Sequence, residues 1–440
     1  MTEGPQPTLG ARELAAVTVG IVIGAGIFRT PSLVAGASGS EAVFLMTWAA
    51  GGLLSIVGAL CYAELASAFP SAGGDYHFLA RAFGRRLGFL YAWARLAVIQ
   101  TGSLALLAFV FGDYMSALAP LGSASPALYA AAAVIGLTAL NWAHVRGGTG
   151  SQLWLTAIEV GGLIALIGIG LGMAGMAAPS EAPSPEAGSI GLTLVFVLLT
   201  FGGWSEAAYL SAELRGGRRR IATVLVGSLA FVTLLYLLVN WAYLRALGLG
   251  GIAASDAVAA DMVRPVAGAA GVAAISLLVA IAALTSANAT AITGARTTYA
   301  LGRSFPRLRW LGRWHAASGT PRNALLFQGA VALLLIGAGA FARDGFQLVV
   351  EYTAPVFWLF LVLVGISLFV LRAREPNAER PFRVPLYPWL PIVFCMTSAF
   401  LFYSSLAYTG ASALVGVAVL AAGGLLLLFL EPDADEEMSP

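Results

Sequence analysis

The sequence predicts an all-α integral membrane protein, and three observations support this fold class. Of the 440 residues, 59% are hydrophobic and only 10% are charged, whereas a soluble globular domain carries about 25% charged residues. Apolar runs of about 20 residues recur along the whole chain, and each is long enough to cross a bilayer as a helix. The strict alternation of apolar and polar residues that a membrane β-barrel requires is absent from the sequence.

The apolar runs predict twelve transmembrane helices. They cover residues 11–36, 41–68, 83–119, 126–143, 151–174 and 189–214, and then 221–247, 266–302, 323–341, 346–371, 388–408 and 411–430. We expect residues 1–10 and the acidic stretch 431–440 to be cytoplasmic tails. The proline-rich stretch 181–186 is predicted to be an extracellular loop.

The distribution of arginine predicts the orientation in the membrane. All 24 basic residues are arginines, and there is no lysine. With the N-terminus in the cytoplasm, 18 of the 24 arginines fall on cytoplasmic segments, against Arg245, Arg264 and Arg343 on the outer connections. Because cytoplasmic loops of membrane proteins are enriched in basic residues, both termini are predicted to be cytoplasmic.

Glycines interrupt the first and the sixth predicted helices at corresponding positions. The first contains Gly20, Gly24 and Gly26, and the sixth contains the pair Gly202 and Gly203. Each glycine weakens a helix by roughly 1 kcal/mol relative to alanine, and paired breaks in corresponding halves indicate the binding site of a transporter. The alternative is close helix packing through small residues.

The chemistry of such breaks favours a zwitterionic ligand. Unwinding a helix in a bilayer frees N–H and C=O groups that cost several kcal/mol when they stay unpaired. Freed N–H groups at the start of a half-helix bind a carboxylate, aided by the positive end of the helix dipole. Freed carbonyl oxygens suit an ammonium group.

Several motifs resemble those of the amino acid–polyamine–organocation superfamily, and the L-type amino acid transporter branch is the most similar. They are GAGIF at 24–28 followed by RTP, YAEL at 62–65, PSAGGDY at 70–76, FGGW at 201–204, AEL at 212–214, SANA at 286–289 followed by Arg296, YALGR at 299–303 and YPWLP at 387–391. The likeness covers nearly the whole chain.

The resemblance implies a five-plus-five inverted repeat with broken helices 1 and 6. Residues 11–174 would form the first repeat, residues 189–371 the second, and residues 388–430 two further helices. It also implies that the amides of Ile23, Gly24, Ala25, Gly26 and Ile27 meet the substrate carboxylate, and that the carbonyls of Thr200, Phe201, Gly202 and Gly203 meet the amino group.

The resemblance further assigns Phe201 as an aromatic gate over the substrate. Trp204 is expected to shape the side-chain pocket, with packing against lipid or a neighbouring helix as the alternative.

Glu159 departs from the family pattern. Relatives often carry a lysine at this place in the fifth helix, where it replaces a sodium ion. A carboxylate in mid-membrane is expensive and is a functional candidate by default. Glu159 is a candidate for proton coupling, or for a cation site with Ser286 and first-helix carbonyls. The alternative is that it faces a wet vestibule or pairs with an arginine such as Arg95.

The remaining polar residues predict structural roles more than binding roles. Glu206 is a candidate for substrate contact or gating, whereas Glu64, Glu213 and Arg296 are expected to form an ion-pair network at the cytoplasmic ends of their helices. His77, His144 and His315 are not expected to bind a metal. Cys61 and Cys395 lie in apolar runs, which gives no indication of a disulfide framework.

The resemblance implies a secondary active transporter of small or neutral L-amino acids, working by alternating access as an exchanger or a proton-coupled symporter. The alternative is a polyamine or cationic amino acid antiporter, which Glu206 facing the substrate would favour. The sequence contains neither the repeated filter or charge rings of a channel nor the polar triad of an enzyme. It contains no nucleotide loop for ATP.

The expected partners are the amino acid substrate, the bilayer and protons. No cofactor, nucleic acid or obligate partner subunit is expected, although the family has members that work with one. The cell membrane, plasma or inner, is the expected location.

Overall fold

A computed structural model describes residues 10–71, 73–143, 149–173, 189–209, 220–315, 320–342, 344–407 and 411–429. Within these ranges the chain is almost entirely helical, and the extended structure is limited to a single bridge between His315 and Thr320. The predicted all-α class is therefore confirmed. The acidic tail, the loop at 181–186, the 212–214 motif with Glu213, and His144 lie outside the described residues.

Sixteen α-helices follow one another in these ranges. They are α1 (Ala11–Ile23), α2 (Thr30–Ser38), α3 (Glu41–Ala68), α4 (Asp75–Phe83), α5 (Arg85–Ala94), α6 (Gln100–Leu118), α7 (Ser125–Ala143), α8 (Thr149–Gly172), α9 (Ser189–Thr200), α10 (Trp204–Tyr209), α11 (Arg220–Ala253), α12 (Val258–Ser304), α13 (Arg322–Ala340), α14 (Gly345–Arg374), α15 (Trp389–Ala407) and α16 (Ala411–Leu426). A 3₁₀ turn, Gly26–Phe28, joins α1 to α2, and a π-helical turn, Arg95–Ile99, joins α5 to α6.

Eight segments of the described chain are long and apolar enough to cross a membrane. They are Glu41–Ala68, Arg85–Leu118, Ser125–Ala143, Arg220–Ala253, Val258–Arg303, Arg322–Ala340, Gly345–Arg374 and Trp389–Ala407. The first predicted span is a bent pair, Leu14–Phe28 and Thr30–Ser38, with an angle of 58° between its halves. Shorter apolar helices occupy the other three predicted spans. The count of twelve and the inverted repeat stay predictions.

Two long helices contain a glycine whose backbone is not helical. Gly248 in α11 has φ +69°, and Gly268 in α12 has φ +55°. Pro265 lies three residues before Gly268 and cannot donate a helical hydrogen bond. The 47-residue α12 therefore consists of a short first segment and a long second one, and the predicted span 266–302 began within the first.

One end of the bundle carries Arg81 of α4, Arg85 and Arg86 at the start of α5, and the arginine-rich connections after α12 and α14, and it is called the arginine-rich end below. Glu64 is fully buried there, and it accepts hydrogen bonds from Arg372 at 2.7 and 2.5 Å and from the Val384 amide at 2.7 Å. Arg380 lies 3.5 Å from the same carboxylate. Glu64 thus takes part in an ion-pair network, as expected, whereas the Arg296 side chain is exposed.

Candidate functional site

The breaks in the first and sixth spans face each other. Gly203, between α9 and α10, has φ +93°, and a Cβ at this position would lie 2.6 Å from Ile21 Cγ2 and 3.0 Å from the Ile21 carbonyl oxygen. A Cβ on Gly26 would lie 3.1 Å from Thr200 Cγ2. Gly24 has φ +29°. Since a positive φ is accessible to glycine without steric cost, the glycine positions permit both the turns and their close approach.

Side-chain hydroxyls hold the two breaks together. Thr200 Oγ1, at the end of α9, lies 2.7 Å from Thr30 Oγ1, at the start of α2. The Tyr236 hydroxyl of α11 is 2.9 Å from the Val22 carbonyl oxygen and 3.1 Å from that of Ile23. Carbonyl groups at the end of α1 therefore find a donor where the regular helix stops, which lowers the cost of the break.

The predicted binding residues lie in this region with different exposures. Ile23, Ala25, Ile27 and Phe201 are fully buried, and Thr200 and Trp204 are 8% and 6% exposed. The four glycines are Gly24, Gly26, Gly202 and Gly203, and all are partly accessible. The accessible surface of the facing breaks is therefore mostly backbone, which suits a ligand recognised through N–H and C=O groups.

The Phe201 ring lies in an aromatic cluster between α3 and α11. Its centroid is 4.9 Å from that of Tyr236 and 6.2 Å from that of Trp48. A Cβ on Gly51 would lie 3.3 Å from the ring, so α3 approaches it closely. The gate assignment of Phe201 stays a prediction.

Trp204 packs toward α3 and α15. Its ring centroid is 5.0 Å from that of Tyr62. A Cβ on Gly58 would lie 2.8 Å from the indole and 2.9 Å from the Phe394 ring. A small cavity adjoins this face of α10, and Ser55, Trp204 and Trp358 are among its lining residues. Trp204 thus packs against neighbouring helices and also lines the cavity beside Gly202 and Gly203, and its role in shaping the side-chain pocket stays a prediction.

Comparison with known proteins identifies the family. A family model described as amino acid permease matches residues 9–429. The chain belongs to the amino acid permease family. This match confirms the predicted resemblance, and with it a multi-pass membrane protein of a transporter family rather than an enzyme.

Similar curated proteins cover almost the whole permease. The b(0,+)-type amino acid transporter 1 of Mus musculus is 31% identical over 441 residues, which is 98% of this chain and 88% of the relative. Its Homo sapiens counterpart is 31% identical over 91% of this chain and 82% of the relative. The large neutral amino acids transporter small subunit 2 of Mus musculus is 29% identical over 94% of this chain and 79% of the relative.

These relatives contradict the expectation that no obligate partner subunit is needed. The large neutral amino acids transporter small subunit 2 is by its name one subunit of a transporter. The expectation rested on the permease sequence alone, and a lipid-facing helix carries no clear mark that separates contact with lipid from contact with another membrane helix.

Glu159 of the permease lies in α8 and is 3% exposed. Its Oε2 atom has no hydrogen-bond partner among the described residues. Ser286 of α12 is half-buried. Arg95, the arginine that the sequence offers as a partner for Glu159, is paired with Glu206 instead. The roles of Glu159 and Ser286 in coupling stay predictions.

A buried chain of polar side chains connects the break between α9 and α10, in the sixth predicted span, with the arginine-rich end. Arg95 Nη2 lies 2.7 and 2.9 Å from the two Glu206 oxygens, and Arg95 Nη1 lies 3.2 Å from the Tyr91 hydroxyl. The Tyr91 hydroxyl donates to Asp75 Oδ2 at 2.9 Å. Burial raises the pKa of Asp75, on α4 outside the spans, to about 6, against the opposing effects of Arg95 and Tyr91. In the sequence, the glycine pair before Asp75 draws attention to this carboxylate, but no sequence pattern indicates that Tyr91 and Arg95 are its neighbours.

A second ion-pair cluster lies toward the opposite end of the bundle. Arg29, just before α2, is paired with Asp344 at the start of α14, and its Nε atom is 3.4 Å from Asp113 Oδ2 of α6. Its Nη2 atom is 3.4 Å from Asp256, in the connection between α11 and α12. The second half of the broken first span is thereby attached to three other parts of the chain.

Proposed function

We propose that the permease is a secondary active transporter that moves small or neutral L-amino acids by alternating access. The observation that carries the proposal is the pair of facing breaks, in which Gly203 lies against Ile21 and Gly26 against Thr200. The names of the similar proteins, which are amino acid transporters, support amino acids as the substrates.

The facing breaks offer complementary groups to the two ends of an amino acid. The amides of residues 23–27 precede α2 and bind the carboxylate, since N–H groups at the start of a half-helix favour an anion. The carbonyls of Thr200 to Gly203 follow α9 and accept hydrogen bonds from the ammonium group. Two short half-helices, α2 and α10, begin next to the ligand, so their reorientation can open the site toward one side at a time.

The charged residues near the break between α9 and α10 favour a substrate with a neutral side chain. Glu206 is three residues past Gly203, and both of its oxygens are bonded to Arg95. The pair brings no net charge to the site. A substrate with a cationic side chain would have to compete with Arg95 for the carboxylate.

We propose a cell membrane location, plasma or inner, with both termini in the cytoplasm. The arginine bias supports this orientation. It places the Glu64 network on the cytoplasmic side and the Arg29 cluster toward the outside.

Uptake of labelled neutral L-amino acids into proteoliposomes tests the proposed function. The wild-type protein is reconstituted with and without internal amino acid, and with and without an inward proton gradient. We expect uptake under at least one condition. Absence of neutral amino acid uptake under all of them would contradict the proposal and bring polyamines or cationic amino acids forward as substrates.

The same assay with Glu159→Gln tests the coupling carboxylate. If Glu159 carries the proton, gradient-driven uptake is lost in the variant, whereas exchange against internal amino acid continues. Glu351→Gln is the matched control, because Glu351 is half-buried in α14, where it accepts a hydrogen bond from Gln347 at 2.9 Å. Unchanged gradient-driven uptake in Glu159→Gln would contradict a coupling role.

A further inference from the structure

Trp204 and Glu206 lie on opposite sides of the short helix α10. Consecutive residues of an α-helix are turned by about 100°, so residues two apart point in nearly opposite directions. The Trp204 ring packs against Tyr62 of α3 and near Phe394 of α15. Glu206 accordingly points away from α3 and α15, toward the third span, where it meets Arg95.

The Arg95–Glu206 pair is unequally accessible. The Arg95 side chain is 5% exposed, whereas that of Glu206 is 27% exposed. The guanidinium is fixed from behind by the Tyr91 hydroxyl at 3.2 Å. The carboxylate is therefore the more accessible member of the pair, and the guanidinium is the more deeply buried one.

The π-helical turn Arg95–Ile99 places the arginine at this position. Such a turn inserts an extra residue into a helix and re-aims the side chains next to it, and it occurs frequently at functional sites. A buried guanidinium needs a charged partner, and here Glu206 provides it with two charge-assisted hydrogen bonds.

We propose that Arg95 is a specificity-determining residue, a built-in cation that occupies Glu206 and so excludes substrates with cationic side chains. This inference rests on the proposed function as an amino acid transporter. Without Arg95, the Glu206 carboxylate, three residues past Gly203, would attract the side-chain ammonium of a lysine substrate or the guanidinium of an arginine substrate. Removing the guanidinium frees Glu206 and opens the site to these substrates.

The test compares uptake of labelled L-leucine, L-lysine and L-arginine by the wild type, Arg95→Gln, Glu206→Gln and the double variant in proteoliposomes. We expect the ratio of cationic to neutral uptake to rise at least ten-fold in Arg95→Gln. The rise should be absent in the double variant, where the carboxylate is gone, and in Arg95→Lys, where a cation is restored. Arg264→Gln, which removes an exposed arginine paired with Asp261, is the matched control.

Two results would overturn the inference: a folded Arg95→Gln that transports L-leucine but gains no cationic uptake, or an equal gain in the double variant. If Arg95→Gln folds but is too unstable for the transport assay, its thermal unfolding midpoint is measured in detergent with each amino acid. Stabilisation by L-lysine or L-arginine but not by L-leucine then supports the inference, and no selective stabilisation overturns it. Failure of the wild type to transport L-leucine would instead count against the proposed function.

Discussion

Gly203→Ala is expected to reduce amino acid uptake at least ten-fold. Gly203 has φ +93°, and a Cβ would lie 2.6 Å from Ile21 Cγ2 and 3.0 Å from the Ile21 carbonyl oxygen. The left-handed backbone region costs a residue with a side chain roughly 1–2 kcal/mol. The contact with the α1 backbone cannot be relieved by a rotamer change, so the two breaks must move apart. Because binding depends on the spacing of their backbone groups, a small displacement removes complementary contacts.

The control for this variant is Gly136→Ala in α7. Its Cβ would meet no atom within 4 Å, and alanine favours a helix interior over glycine. We expect normal uptake and equal or higher thermal stability for this control. Wild-type uptake by a folded Gly203→Ala protein would show that the close approach at Gly203 is not needed for transport.

Arg29→Gln is expected to produce the largest loss of stability among the single substitutions considered. The variant leaves Asp113 and Asp344 without their common cation, although their side chains are only 13% and 22% exposed. Removing one member of a buried ion pair costs on the order of 3–5 kcal/mol, because a desolvated charge stays behind. The midpoint of thermal unfolding in detergent measures the effect.

Two variants separate this effect from the general loss of an arginine or an aspartate. Arg264→Gln breaks a pair whose side chains are 60% and 40% exposed, and Asp256→Asn removes the 91% exposed partner of Arg29. Exposed pairs contribute about 0–1 kcal/mol, so both should unfold close to the wild-type midpoint. An Arg29→Gln midpoint equal to theirs would contradict a stabilising role for the cluster.

The sequence was sufficient to predict the fold class and the position of the helix breaks. Both depend on local signals, namely apolar length for the spans and glycine for Gly24, Gly26 and Gly203. The break at Gly268 was missed because the apolar run continues through it. The length of an apolar run does not reveal a single residue with a non-helical backbone inside it.

The ion pairs of the site could not be predicted because they join residues that are distant in the sequence. Arg29 and Asp344 are 315 residues apart, and Arg95 and Glu206 are 111 residues apart. Considered alone, each partner is a charged side chain whose placement inside the membrane is energetically costly. Which acid meets which arginine depends on how the spans pack and on the rotation of each helix about its axis. The same rotation turns Trp204 toward α3 and α15.

Substrate protection of a cysteine at the sixth-helix break tests most directly whether the facing breaks bind the amino acid. Cys61 and Cys395 are the two native cysteines, and both are replaced by alanine before Ser205→Cys is introduced. Ser205 is half-buried at the start of α10, and Ser116→Cys, half-buried near the end of α6, serves as the control site. A neutral L-amino acid should slow labelling of Ser205→Cys by a water-soluble thiol reagent at least several-fold and leave Ser116→Cys unaffected. Equal labelling of Ser205→Cys with and without a transported amino acid would place the substrate elsewhere and contradict the account.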